Sequence, residues 1–220
     1  MKLSALPIGI TLIILLFSCS PKQKTEHSFY YWKTVFHLSN FEKEYLTNLQ
    51  ITKLYIRFFD VEWDETTSQV IPLATIKFND SVPQGYKIIP VVYIVNKALK
   101  NTKTEDIPLL ASKILAQVNH IAKLNSINYP ELQIDCDWTE TTKNSYFELL
   151  RTIKGKLEKD KSLSSTIRLH QVKYKDITGI PPVDRGMLMY YNMGKISAES
   201  THNSVFNVTE AAKYIDHLSD

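Results

Sequence analysis

The chain has 220 residues, 44% hydrophobic and 11% aromatic, enough to bury one sizeable core. Its 26 Lys and Arg stand against 23 Asp and Glu, a formal charge of +3 with both signs interspersed. No stretch concentrates basic residues, so nucleic acid is not an expected partner.

The N-terminal residues differ from the rest. Lys2 is followed by an apolar run from Leu6 to Phe17 and by small residues around Cys19. That run is too short to span a bilayer and fits the apolar region of a secretory signal. "LFSC" (Leu16 to Cys19) resembles a bacterial lipobox. The resemblance implies cleavage before Cys19, lipidation of Cys19 and anchoring of the mature chain in the cell envelope. Ser20, rather than Asp, follows Cys19, which in the same resemblance implies the outer membrane. The alternative is an ordinary signal peptide with an incidental Cys19. Residues 1–18 are therefore expected to be a signal peptide and 19–28 the lipidated Cys and a polar tether. Residues 29–220 are expected to form one domain. Cys136 is the other of the two Cys, so no disulfide is expected.

Strand-like and helix-like stretches then alternate. Phe29 to Phe36 is β-branched and aromatic, a strand, and Phe41 to Gln50 is a short helix. Lys53 to Trp63 is a second strand. Asp64 to Gly85 is polar, with a weak apolar stretch at Ile71 to Phe78. Lys87 to Val95 is a third strand, apolar throughout as in a parallel sheet. The spacing predicts a helix over Glu105–Leu124, with Ile107, Leu110, Ala111, Ile114, Val118, Ile121 and Ala122 on one stripe. Leu132 to Trp138 is the fourth strand. Thr142 is placed to cap the next helix, whose stripe is Tyr146, Leu149, Leu150, Ile153 and Leu157. Ser165–Val172 and Gly186–Met193 are the fifth and sixth strands, and Asn207–Leu218 is helical.

This alternation predicts an α/β fold with a parallel sheet. Two architectures compete, a doubly wound open sheet and a (β/α)8 TIM-type barrel. The chain has six Gly and no G-x-G-x-x-G, which argues against the doubly wound form. Polar and aromatic residues crowd the C-terminal ends of strands, where barrels place their sites. A barrel is therefore expected. About six strand–helix units are visible where eight are needed, and residues 29–220 fall short of the roughly 250 typical of the fold. The barrel is then incomplete by design, or the chain is a piece of a longer product; the second is expected.

The fourth strand reads "LQIDCDWTE". Gln133, Asp135 and Asp137 share one face by alternation, and Ile134, Cys136 and Trp138 the other. In a barrel the polar set points toward the axis. Charges there need partners or a solvated mouth, so a structural pair of Asp135 with Arg57 or Arg168 stands beside a catalytic role. Cys136 is expected to be a small core hydrophobe.

"IDCDW" resembles the fourth-strand signature of family 18 glycoside hydrolases, the chitinase-like barrels. Asp135, Asp137 and Trp138 match its Asp-x-x-Asp-x-Asp-x-Glu pattern. "MYYN" (Met189 to Asn192) resembles that family's sixth-strand element. The resemblance implies that Asp137 orients an acetamido group or stabilises charge, while Tyr191 and Asn192 contact sugar. It also places Thr139 where the family's proton-donating Glu stands, with Glu140 one residue late. Glu140 is the candidate acid if a bulge turns it inward. Leu132 replaces the first Asp, and the third-strand Ser-x-Gly-Gly is absent. "YYW", "RFFDV" and "QIDCDWT" also resemble bacterial lipoproteins with a glycosidase-like barrel, a likeness that brings no activity with it.

Other candidates come from residue type and place. Arg57 and Asp60 sit near the end of the second strand, able to bind sugar hydroxyls or to pair with each other. Trp32, Trp63, Trp138, Tyr93, Tyr190 and Tyr191 offer aromatic faces that suit sugar rings or core packing. His170 ends the fifth strand and His37 follows the first, each a candidate acid or base, or a hydrogen-bonded structural His. No two His have metal-ligand spacing, so neither a metal nor another cofactor is expected. Three readings remain open: a lipid-anchored glycosidase acting on envelope glycans, a glycan-binding barrel that lost its acid, and a truncated product without a stable fold.

Overall fold

The structure, a computed structural model, describes residues 25–191 and 207–215. The expected signal peptide, Cys19 and Asn192 lie outside the described residues.

The first expected strand divides in two, β1 (Ser28–Tyr31) and β2 (Val35–Phe36). The chain turns between them, and the Tyr31 hydroxyl ties the turn by donating to Val35 O at 2.8 Å and accepting from His37 N at 3.0 Å. α1 (Asn40–Asn48) starts at a capping box, in which Ser39 Oγ accepts from Glu42 N at 3.2 Å and Glu42 accepts from Ser39 N at 2.8 Å. β3 (Lys53–Asp64) is buried on both faces through its middle, as an interior parallel strand must be. The polar segment that follows holds β4 (Gln69–Leu73), antiparallel to the end of β3, and β5 (Lys77–Phe78), parallel to β2. Their half-exposed side chains leave only a weak apolar signal in the sequence.

β6 (Lys87–Ile94) leads into α2 (Asn96–Asn101), a short helix without a side-chain cap and without an apolar stripe. A single 3₁₀ turn then opens α3 (Ile107–Leu124), with Pro108 in its first turn and the expected stripe buried. β7 (Glu131–Cys136) ends before Asp137, so Asp137 and Trp138 lie just past the strand. α4 (Lys143–Lys156) buries Tyr146, Phe147, Leu149, Leu150 and Ile153. Each such side chain contributes about 1.5–3 kcal/mol by leaving water. β8 (Ser162–Arg168) is shifted toward the N-terminus from its expected place, and α5 (Leu169–Lys173) replaces its end. Gln171 causes the break: its side chain accepts from Arg168 N at 2.8 Å and donates to Trp138 O at 3.2 Å. The short α6 (Lys175–Thr178), then β9 (Arg185–Met189) and α7 (Val208–Ile215), complete the described elements.

The parallel strands lie in the order β1-β3-β6-β7-β8-β9, each beside its predecessor in the chain. A doubly wound sheet would reverse direction at a switch point. Here the order never reverses, which is barrel winding. The sheet also curls. The Tyr30 hydroxyl on β1 donates to Gln133 Oε1 on β7 at 2.5 Å, although those strands are three places apart in the sheet. In a flat sheet that gap is roughly 14 Å. Glu131 of β7 likewise meets Tyr55 of β3 and Arg185 of β9. The result is a six-stranded half-barrel. Its concave face packs Tyr55, Ile89 and Val91 with Tyr30 and Met187, and its convex face buries the main core against the helices. Among the described residues, no helix is long and apolar enough to cross a membrane.

Candidate functional site

The C-terminal end of the concave face gathers the ionisable side chains. Register places Asp60 of β3 beside Tyr93 of β6, and Tyr93 beside Asp135 of β7. On β8 the next partner is Thr166, whose hydroxyl donates to Asp135 Oδ1 at 2.6 Å. One residue row thus crosses four strands at one height. Asp135 is 6% exposed. Burial pushes its carboxyl above the ordinary range, against the opposing pull of the Thr166 bond. One step higher, Arg168 donates to both oxygens of Asp137, with Nη2 to Oδ2 at 2.7 Å. Burial opposes the Arg168 charge, and Asp137 more than offsets that, holding the guanidinium above its ordinary value. Arg168 therefore pairs with Asp137, and Asp135 takes a hydroxyl partner instead of a cation.

Arg57 and Asp60 come together through a bulge. Arg57 pairs with Val91, yet Phe59 pairs with Val92, so Phe58 is an extra residue in β3. Strict alternation would send Arg57 and Asp60 to opposite faces. The bulge returns both to the concave face, with Arg57 Nη1 at 3.4 Å from Asp60 Oδ2. The Phe58 ring sinks into the convex core beside Phe78, and its carbonyl accepts from Ile76 N at 2.8 Å. The Arg57 guanidinium lies over the Trp32 ring, 5.6 Å from its centroid, and Trp32 stacks on Tyr30. Two buried atoms of this group, Arg57 Nε and Asp60 Oδ1, have no hydrogen-bond partner. Burial raises the Asp60 carboxyl above its ordinary range, Arg57 lowers it, and Glu62 adds to the rise.

The remaining candidates are placed as follows. Thr139 and Glu140 are exposed in the turn between β7 and α4. Thr142 stands at the N-cap of α4 but does not cap it with its side chain. Its hydroxyl instead donates to Asn96 Oδ1 at 2.5 Å and accepts from Thr139 N at 3.0 Å. Thr139 and Asn96 so form a hydroxyl and amide cluster at the mouth. Trp138 is 2% exposed, stacks on Tyr146 and donates to Thr178 O at 3.0 Å. It lies in the convex core, away from the mouth. His170 is exposed on α5, not on a strand end. Partial burial and then the Arg168 charge hold it below the ordinary imidazole range, while Asp137 works against them. Tyr191 follows β9, is exposed, and is close enough to act on Arg168 electrostatically. Cys136 is buried and free. Thr166 is the site residue that residue type alone did not mark. Its signal is position, two residues before Arg168 and so on the same strand face. Among the described residues no group of three or more His, Cys, Asp and Glu is placed to hold a metal ion.

No protein-family model and no curated protein matches this sequence. Solved structures do match. The chitinase domain of the spore coat protein CotE from Clostridium difficile aligns over 89% of this chain with a TM-score of 0.54 at 12% identity. A chitinase from Bacteroides thetaiotaomicron gives 88%, 0.53 and 12%, and the class V chitinase from Nicotiana tobaccum gives 88%, 0.52 and 12%. The chain spans 62% of each of those three chains, and 47% of the Bacillus cereus spore cortex-lytic enzyme SleL. The fold is therefore that of a chitinase-like barrel, represented here by six of its strands.

Proposed function

We propose that this is a glycoside hydrolase-like lipoprotein domain that engages glycans at a bacterial envelope. Cys19 would carry the lipid anchor, and the outer membrane would be its location. The observation that carries the glycan reading is the row Asp60–Tyr93–Asp135, with Asp137 above it, at the C-terminal mouth of a chitinase-like half-barrel. In that class of barrel the mouth is where sites are built. Asp135 and Asp137 would contact the reacting sugar. Arg57, Asp60, Tyr191 and His170 would line the approach.

A second reading has its own support. Thr139 offers a hydroxyl, not a carboxylic acid, at the position where the resembling enzymes place their acid, and Glu140 sits in an exposed turn. Asp137 is also held by Arg168 on both oxygens. These favour a domain that retains glycan over one that cleaves it. Hydrolysis remains the first reading only if Glu140 reaches the bound sugar.

The test is direct. The protein is titrated with N-acetylated and plain oligosaccharides by calorimetry, and reducing ends are counted in the same samples. Turnover abolished by Glu140→Gln supports the hydrolase. Binding with no turnover supports the retaining module. Absence of both binding and turnover rejects the glycan reading.

A further inference from the structure

Resting on the glycan reading above, we propose a narrower ligand class: oligosaccharides whose amino sugars carry a free, protonated amine, bound through Asp60. Three observations converge. First, Asp60 is 8% exposed, yet its Oδ1 has no hydrogen-bond partner. An unpaired buried carboxylate oxygen costs stability unless a ligand or solvent satisfies it. Second, the neighbouring Arg57 Nε is a buried donor without a partner. A ligand that fits must bring a donor and an acceptor side by side. The amine and adjacent hydroxyl of a 2-amino sugar are such a pair, the ammonium toward Asp60 Oδ1 and the hydroxyl oxygen toward Arg57 Nε.

Third, the mouth is acidic. Asp60, Glu62, Asp135 and Asp137 face two guanidiniums there, Arg57 and Arg168. Arg168 is committed to Asp137, and Asp135 has only a hydroxyl donor. An acetylated amine would place a neutral group and added bulk against Asp60. A plain vicinal diol would satisfy both unpaired atoms but bring no charge to the acidic field. The ammonium does both. Its charge-assisted bond is about twice as strong as a neutral one. The Trp32 face beside Arg57 gives the ring an apolar surface to lie on.

The experiment compares three β-1,4-linked oligomers of equal length by calorimetry: glucosamine, N-acetylglucosamine and glucose. The expected result is that the glucosamine oligomer binds at least about tenfold tighter than either other probe. Asp60→Asn should erase that preference in a variant whose circular dichroism matches the parent. In the unmodified protein, raising salt should weaken glucosamine binding and spare the neutral oligomers, which guards against a variant that misfolds. If the N-acetylated or glucose oligomer binds equally or better, the amine proposal is overturned and the glycan reading stands. If the preference survives Asp60→Asn, Asp60 is not the determinant. If none of the three binds, the glycan reading fails, and this inference with it.

Discussion

Arg168, the last residue of β8, holds Asp137, the first residue past β7, through both carboxylate oxygens. The two strands are neighbours, so the pair bridges adjacent strand ends at the mouth. A fork of this kind fixes orientation as well as distance. Both ends are partly exposed, with Arg168 at 28% and Asp137 at 42%. Solvent screening therefore limits its worth. Arg168→Lys keeps the charge and loses the fork. Urea unfolding should show a loss of about 1 kcal/mol or less. A loss above about 3 kcal/mol would mean the pair behaves as a buried one.

Asp135 gives a pH signature. Its folded carboxyl titrates above the ordinary value of 3.8, chiefly because of burial. The unfolded chain then releases its proton first as pH rises. Asp135 therefore costs stability increasingly from near pH 3.8 up through its folded value, and the cost is complete above that. Asp135→Asn removes the ionisation. Stability of the variant relative to the parent should improve as pH is raised from about 3 to 7. A variant-minus-parent stability that stays constant across that range, or falls, would contradict the burial described for Asp135.

Glu42 has the opposite sign. Lys33 and the Ser39 cap hold its carboxyl down at about 2, below its ordinary 4.5. The stability it contributes is present above pH 4.5 and is lost as pH falls toward 2. Glu42→Gln should cost about 1 kcal/mol at pH 7 and much less at pH 2, read by thermal unfolding at both. Equal costs at the two values would show that charge has no part in the cap.

The tryptophan candidates Trp32 and Trp138 should separate cleanly. Trp138→Ala should destabilise by about 3–5 kcal/mol, because it opens a cavity beside Tyr146 and strands the Thr178 carbonyl. Trp32 is 41% exposed, so Trp32→Ala should cost about 1 kcal/mol or less in stability. On the proposed function, Trp32→Ala should weaken glycan binding, and Trp138→Phe should leave it unchanged. Reversed effects in calorimetry would assign the sugar platform to the wrong tryptophan.

Much of this architecture is legible in the residues. The stripe of α3 and the run of β6 follow from periodicity and burial, and the inward face of Gln133 and Asp135 follows from alternation. The break after Arg168 is not legible that way. Ile167 to His170 alternates as a strand would, and a tertiary contact from Gln171 to Trp138 ends the strand at Arg168. Trp138 illustrates the limit on site prediction. Alternation already grouped it with Ile134 and Cys136, while its residue type and place after a strand suggested sugar stacking. The face outweighs the type. The Arg57–Asp60 pair is the least legible, because its cause is a one-residue register shift, not a residue.

That shift has a consequence for how the site can change. A substitution at Arg57 or Asp60 alters one side chain and is reversible by one further substitution. Straightening β3 with Phe58 kept in regular register would leave both side chains in the sequence and part them in space, one inside the half-barrel and one in the apolar core. The binding character of this mouth is thus encoded partly in the register of β3. Two chains with the same charged residues here, differing by one step of register in that strand, would present different surfaces to a ligand.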